Sequence, residues 1–158
     1  MKLIDIIEAP KPSLSFEIFP PKSSAAYESI QKAAEAIAQL SPSYMSVTYG
    51  AGGGTSAYTV SIAAEIQKKF NVPVMAHLSC ISSTREGVRQ QLDAMRQNGI
   101  ENVLALRGDL PSGTLPEPGW DYHYASELVA EIREYGGFCI GGACYPEGHT
   151  ESASQAED

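Results

Sequence analysis

A short apolar run recurs along this chain at a nearly constant interval, each time followed by a loop containing Gly or Pro and then by a helical stripe. The runs are Leu14–Phe19, Tyr44–Tyr49, Pro73–Ser79, Asn102–Arg107 and Phe138–Cys144, and their starts fall 30, 29, 29 and 36 residues apart. That interval is the size of one strand–helix unit. A strand that pairs in parallel with its predecessor needs a long crossover, usually a helix, so the repeat predicts a parallel sheet covered by helices. The 158 residues suffice for one core, and residues 1–158 are read as part of a single domain without an internal boundary.

The intervening segments carry helix signals of their own. Ile30, Ala33, Ile37 and Leu40 make one stripe at helical spacing, and Tyr58, Ile62, Ile66 and Phe70 make a second. Ser83-x-x-Glu86 reads as a capping box for a third helix, with Val88, Leu92 and Met95 on its core face and Gly99 at its end. Tyr124, Leu128, Ile132 and Tyr135 mark a fourth, stopped by Gly136-Gly137.

Two patterns choose between an open doubly wound sheet and a closed barrel. No G-x-G-x-x-G follows the first strand, where an open dinucleotide-binding sheet places it. The strands also carry a polar phase: Ser15 and Glu17 alternate with Phe16 and Ile18, Ser46 and Thr48 with Met45 and Val47, His77 and Ser79 with Ala76 and Leu78. In a barrel one phase faces the helices and the other the lumen, and polar lumen residues near the C-terminal strand ends are what a barrel active site looks like. A sheet covered on both faces would show continuous apolar runs. The fold class expected is therefore α/β, a (β/α)8 TIM-type barrel. Such a barrel takes eight strands and about 250 residues. Five strands are legible here, and Ser154-x-x-Glu157 opens a helix that Asp158 cuts short. The expectation is a barrel truncated after its fifth strand, whose open edges favour a homo-oligomer.

Charge narrows the partners. With 11 Lys+Arg against 19 Asp+Glu the net charge is −8, and phosphate contacts need a basic face, so no nucleic-acid partner is expected. No apolar run approaches the roughly 20 residues of a membrane helix. The N-terminus places Asp5 and Glu8 inside its apolar part, unlike a signal peptide. The three cysteines, Cys80, Cys139 and Cys144, contain no C-x-x-C pair, which fits a reducing cytoplasm. Drawn together with His77 and His149, Cys80 and Cys144 have no standard ligand spacing, so no metal is expected.

Chemistry-bearing residues gather at the predicted strand ends. Glu17, between Phe16 and Ile18, has two readings: a lumen carboxylate paired with an Arg such as Arg107, or a general acid whose apolar setting disfavours the charged form. Thr48-Tyr49-Gly50-Ala51-Gly52-Gly53-Gly54-Thr55 is a glycine-rich turn without the Lys of a P-loop, suited to a tight turn or the close approach of a flat ligand. His77 ends the third strand, where a lone His is more often structural than catalytic. Arg107-Gly108-Asp109 follows the fourth strand and suits a polar ligand at a barrel mouth. The long loop from Leu110 to Asp121 reads as a lid or as a surface insertion. Gly141-Gly142 inside the fifth strand implies a close neighbour, either ligand or backbone. Glu17, Thr48, His77, Asp109 and Tyr145 come from five strand ends, and would meet at one mouth only in a parallel, closed or nearly closed sheet.

Taken together, Ser15-Phe16-Glu17-Ile18-Phe19-Pro20-Pro21-Lys22, Ser46-Val47-Thr48-Tyr49-Gly50-Ala51-Gly52-Gly53, Ala76-His77-Leu78-Ser79-Cys80, Leu106-Arg107-Gly108-Asp109 and Tyr145-Pro146-Glu147-Gly148-His149 are similar to the methylenetetrahydrofolate reductases, in order and spacing, from about Ser13 to Asp158. The resemblance implies a flavoprotein barrel that uses NAD(P)H to reduce bound FAD and passes a hydride to 5,10-methylenetetrahydrofolate, making 5-methyltetrahydrofolate. It implies that Glu17 is the general acid for folate N10, and that Asp109 is the carboxylate near flavin and pterin. Around FAD it implies Thr48, Tyr49, Ala51, His77, Arg107, Gly108, Asp109, Ala125, Tyr145, His149, Ser152 and Asp158, with Ser152 standing where the family often has Ala. The family's basic residues near the flavin phosphates, and the glutamines and arginine that meet the folate, fall beyond Asp158. Two other functions stay open: a non-catalytic module that binds flavin or a partner, and a flavin-free pterin-binding transferase barrel.

Overall fold

The computed structural model describes residues 1–21, 23–49, 56–109, 120–149 and 152–156. Its strands are β1 (Ser15–Ile18), β2 (Tyr44–Val47), β3 (Val74–Ser79), β4 (Asn102–Leu106) and β5 (Cys139–Gly142), each inside one of the predicted runs. All neighbours pair in parallel, in the order β1-β2-β3-β4-β5. A doubly wound sheet reverses its strand order at a switch point. This sheet never reverses: each unit is laid beside the last, as in the wall of a TIM-type barrel, with β1 and β5 as the two edges of the five-stranded arc.

Strand alternation sorts the side chains between the two faces. Met45, Val47, Val74, Ala76, Leu78, Val103 and Ala105 are buried in one core with Ile62 and Ile66, Val88, Leu92 and Met95, and Leu128 and Ile132 of the covering helices. The polar phase, with Glu17, Ser46, His77 and Ser79, occupies the opposite face. The helices are α1 (Leu3–Ile7), α2 (Tyr27–Ala38, led in by a 3-10 turn at Ser24–Ala26), α3 (Ser56–Phe70), α4 (Arg85–Gln97) and α5 (Ala125–Tyr135).

Three helix details differ from the sequence reading. On α2 the buried positions are Ala34 and Ala38, with Ile30 and Ile37 half-buried beside them. Ala33 is exposed, and Leu40 lies past the helix end, 67% exposed. The helix therefore packs on its small residues. The cap of α4 is Thr84, one residue later than expected: its hydroxyl accepts from Gly87 N–H at 3.1 Å, while Glu86 accepts from Gln90 at 3.3 Å instead of closing a box with Ser83. On α5, Tyr124 is the N-cap residue and is exposed, so the core stripe begins at Leu128. Its cap is made by Glu127, whose carboxylate accepts from the backbone N–H of His123 at 2.6 Å and of Tyr124 at 2.9 Å. The expected helix at Ser154-x-x-Glu157 is cut by the limit of the described residues, and positions 152–156 form bends and a turn.

Helix α1 has no signal in the sequence, and a single buried side chain fixes it. Asn102, at the start of β4, accepts from Leu3 N–H at 2.8 Å and donates to Met1 O at 3.1 Å and Val74 O at 3.0 Å. Every bond that this amide needs in an interior is thereby made. The Met1 amino group adds an ion pair with Glu101. The N-terminus is laced to the end of the sheet where the strands begin.

Candidate active site

Because the strands run in parallel, the residues at their C-terminal ends share one rim. Glu17 comes from β1 and Ser46 from β2, directly opposite each other in the pairing register. The Ser46 hydroxyl donates to Glu17 Oε2 at 3.2 Å. His77 arrives from β3 and places Nε2 3.4 Å from the same oxygen. Nε2 is buried and has no hydrogen-bond partner among the described residues. Burial pushes the His77 pKa below its ordinary value, and the Glu17 carboxylate opposes that shift. His77 is thus held toward its neutral form, able to donate or accept according to tautomer.

The basic side chain beside Glu17 is therefore His77, where Arg107 was one sequence reading. Nor is the setting of Glu17 apolar: 44% of its side chain is exposed.

After β4, Arg107 Nε donates to Gly108 O at 3.1 Å, and Asp109 stands exposed. Ser79, at the end of β3, holds this turn by donating to Arg107 O at 2.9 Å. Gly108 has φ +85°, and a Cβ there would lie 2.1 Å from Ser79 Oγ. The turn thus needs glycine on two counts, backbone sign and space. Ser79 and Ser46 are the residues that sequence reasoning missed as site builders; the polar phase contained them, but nothing in the order of residues showed which hydroxyl would reach which strand.

Thr48 follows β2; its N–H donates to Ile18 O at 2.9 Å and its carbonyl accepts from the Thr59 hydroxyl at 2.9 Å, tying the strand end to α3. Tyr49 is half-buried against the core cluster. Beyond β5, Tyr145 and His149 meet edge to face, their ring centroids 4.9 Å apart, across a turn closed by Gly148 N–H on Tyr145 O at 2.8 Å. Ser152 N–H donates to His149 O at 3.0 Å, extending that loop. Ala125 is the first residue of α5. Gly141 is close to Leu104, whose Cδ1 lies 3.1 Å from where a Cβ would stand, so the close neighbour anticipated at this glycine is a side chain. Cys80 is fully buried and its pKa is pushed up to about 11, mainly by burial, which keeps the thiol neutral and unreactive. Ala51 and the rest of the glycine-rich turn, the loop at 110–119, and Asp158 lie outside the described residues. The loop's described end is anchored: Asp121 accepts from Arg85 N–H at 2.7 Å and donates its own N–H to Ser83 O at 3.2 Å.

A parallel α/β wall with a carboxylate, an imidazole and an Arg-Gly-Asp turn along the C-terminal rim is consistent with part of a TIM-type barrel. The methylenetetrahydrofolate reductase family matches residues 2–158, and the chain belongs to that family. It is 38% identical over 146 residues to the 5,10-methylenetetrahydrofolate reductase of Pectobacterium carotovorum, covering 92% of this chain and 48% of that protein. The Escherichia coli enzyme of the same name is 37% identical over the same shares. The methylenetetrahydrofolate reductase (NADH) 1 of Arabidopsis thaliana is 35% identical, over 96% of this chain and 27% of that protein. The chain spans about half the length of the bacterial relatives it matches. Among the described residues, no helix is long and apolar enough to cross a membrane.

Proposed function

We propose that this chain carries the acid-bearing rim of a FAD-dependent enzyme that reduces 5,10-methylenetetrahydrofolate to 5-methyltetrahydrofolate, with NAD(P)H as donor. The observation that carries the reading is the meeting of Glu17, Ser46 and His77 at one rim, in a chain of this family. A carboxyl group that is partly exposed, yet oriented by a neighbouring strand, is accessible to a substrate and has a defined direction of approach. Glu17 is the proton donor to folate N10. Asp109, exposed at the same rim, favours the cation that remains on the folate once the ring opens.

The residues present fit a flavin. A buried Nε2 with no hydrogen-bond partner, as on His77, costs free energy unless a ligand atom meets it. His77, Arg107 and Gly108 are the residues proposed to hold FAD, and Asp109 would serve both flavin and folate. Thr48, Tyr49, Ala51, Ala125, Tyr145, His149, Ser152 and Asp158 complete the proposed surround. When bound, FAD supplies the hydride-carrying chemistry that no amino-acid side chain offers.

The name of the Arabidopsis relative favours NADH as donor. The three free cysteines favour a cytoplasmic protein, and β1 and β5 as the outer strands of the described sheet favour a homo-oligomer. The test is direct: load the purified chain with FAD, add NADH without oxygen, then add methylenetetrahydrofolate and assay for 5-methyltetrahydrofolate. Bleaching of the flavin followed by product and recovery of colour is the expected result. A chain that binds no flavin, or bleaches without forming the methyl product, would end the proposal.

A further inference from the structure

Two of the contacts at the rim fall on the same atom. Ser46 donates to Glu17 Oε2 at 3.2 Å, and His77 Nε2 lies 3.4 Å from that oxygen. Both partners are buried, Ser46 to 6% exposure and His77 to 7%, so neither moves freely. Glu17 itself sits on an edge strand with nearly half of its side chain in solvent. A glutamate in that position has several rotamers open to it, and holding one costs conformational entropy. A hydrogen bond from a rigid neighbour selects one rotamer and, with it, one oxygen.

We propose that Ser46 is the positioning residue for Glu17: its hydroxyl pins Oε2 beside His77 and leaves Oε1 as the oxygen that presents the proton to the substrate. The assignment rests on the reading of Glu17 as a proton donor. In the step it serves, the O–H bond at Oε1 breaks and the proton bonds to N10. The N10–methylene bond then opens with its electron pair kept by N10, and the positive charge passes to the methylene carbon and N5. Glu17 is left as a carboxylate. A hydroxyl donor binds a carboxylate more strongly than a carboxylic acid. The Ser46 bond therefore strengthens as the proton leaves, and favours the transition state over the ground state. Glu17 is the charged group acting on His77 from β1. The register neighbour of His77 on β4 is the apolar Leu104, so its imidazole reports on where the carboxylate is.

That reporter gives a test independent of turnover. The His77 imidazole is titrated by NMR in the parent chain and in Glu17→Gln, Ser46→Ala and Ser46→Thr. The carboxylate raises the His77 midpoint against burial, so Glu17→Gln moves it to lower pH. Ser46→Ala is expected to move it the same way, because the unpinned carboxylate swings into solvent. Ser46→Thr keeps the hydroxyl and stays near the parent. The second readout is single turnover of the FAD-loaded chain. Ser46→Ala slows the folate step about tenfold, the scale of one lost hydrogen bond, with reduction of the flavin by NADH unchanged, and Ser46→Thr recovers most of the loss. A His77 midpoint that stays put or rises in Ser46→Ala overturns the positioning role, as do equal losses in both steps. A parent chain without any folate step, but with the expected His77 pattern, keeps the positioning role and removes the functional reading.

Discussion

At the scale of single residues, the side chain of Glu17 shows how sequence neighbours mislead. Phe16 and Ile18 flank it, which suggested an apolar setting, but successive side chains of a strand point to opposite faces. Ile18 is buried in the helix-side core, while Glu17 stands on the other face beside Ser46 and His77. What surrounds the carboxylate is set by the strands next door, 29 residues away in the register of Glu17 with Ser46. The proposed role divides the reaction at this residue. Reduction of the flavin by NAD(P)H opens no folate ring and needs no acid for N10; reduction of the folate does. In Glu17→Gln, flavin reduction should stay within about threefold of the parent, while folate reduction falls by about 10²-fold or more. Stopped-flow measurement of each half-reaction decides the matter, and equal losses in both would return Glu17 to a structural part.

Among the elements, the helix caps carry two predictions. Thr84 holds the first turn of α4, so Thr84→Ala should cost about 1 kcal/mol in a denaturant melt. Ser83→Ala should cost clearly less, because the Ser83 hydroxyl reaches only Ser79 O, at 3.5 Å. The reverse order would restore Ser83 as the cap. On α5, the N–H groups of His123 first, and of Tyr124 second, hold the Glu127 carboxylate below its ordinary value. A group depressed in the folded state stabilises above its unfolded value, and that contribution is lost as pH falls through the folded one. Glu127→Gln should therefore melt below the parent at neutral pH, with the gap narrowing as the solution is acidified past the ordinary value of 4.5; a gap that is constant with pH would assign Glu127 no cap through its charge. These elements also mark what was legible. The five strands could be read because buried β-runs and their polar phase repeat at a fixed interval. The face of α2 could not, since Ala33, Ala34 and Ala38 look alike to a hydrophobic pattern while only packing distinguishes them. The cap of α4 was one residue off because Ser83 and Thr84 both offer a hydroxyl, and backbone direction alone chooses between them. Helix α1 left no trace in the pattern, because it rests on bonds to Asn102, about a hundred residues away. At the rim, the sequence supplied Glu17 and His77 as separate candidates; their meeting, and the part of Ser46, needed the register.

For the whole molecule, the edges at β1 and β5 and the half-length match to the bacterial relatives point to one experiment. Fusing the C-terminal half of the Pectobacterium relative to this chain should tighten FAD binding by about tenfold or more, which corresponds to roughly 1.4 kcal/mol. Quenching of flavin fluorescence measures it, and equal affinity would mean that the flavin site is already complete, or lies elsewhere. The unbroken order of the strands has a consequence for how the chain assembles. Within the five strands described, each of β2 to β5 pairs with the one made just before it, so each of these closures spans a loop of about one unit. Units can then dock one after another as they leave the ribosome, without a later segment having to thread between earlier ones. Opening should follow the same geometry in reverse, fraying inward from the two ends of the row. Amide exchange ought to be slowest in β3, which has two partnered flanks on either side, and fastest in β1 and β5. Uniform protection across all five strands would mean that the row opens as one block instead.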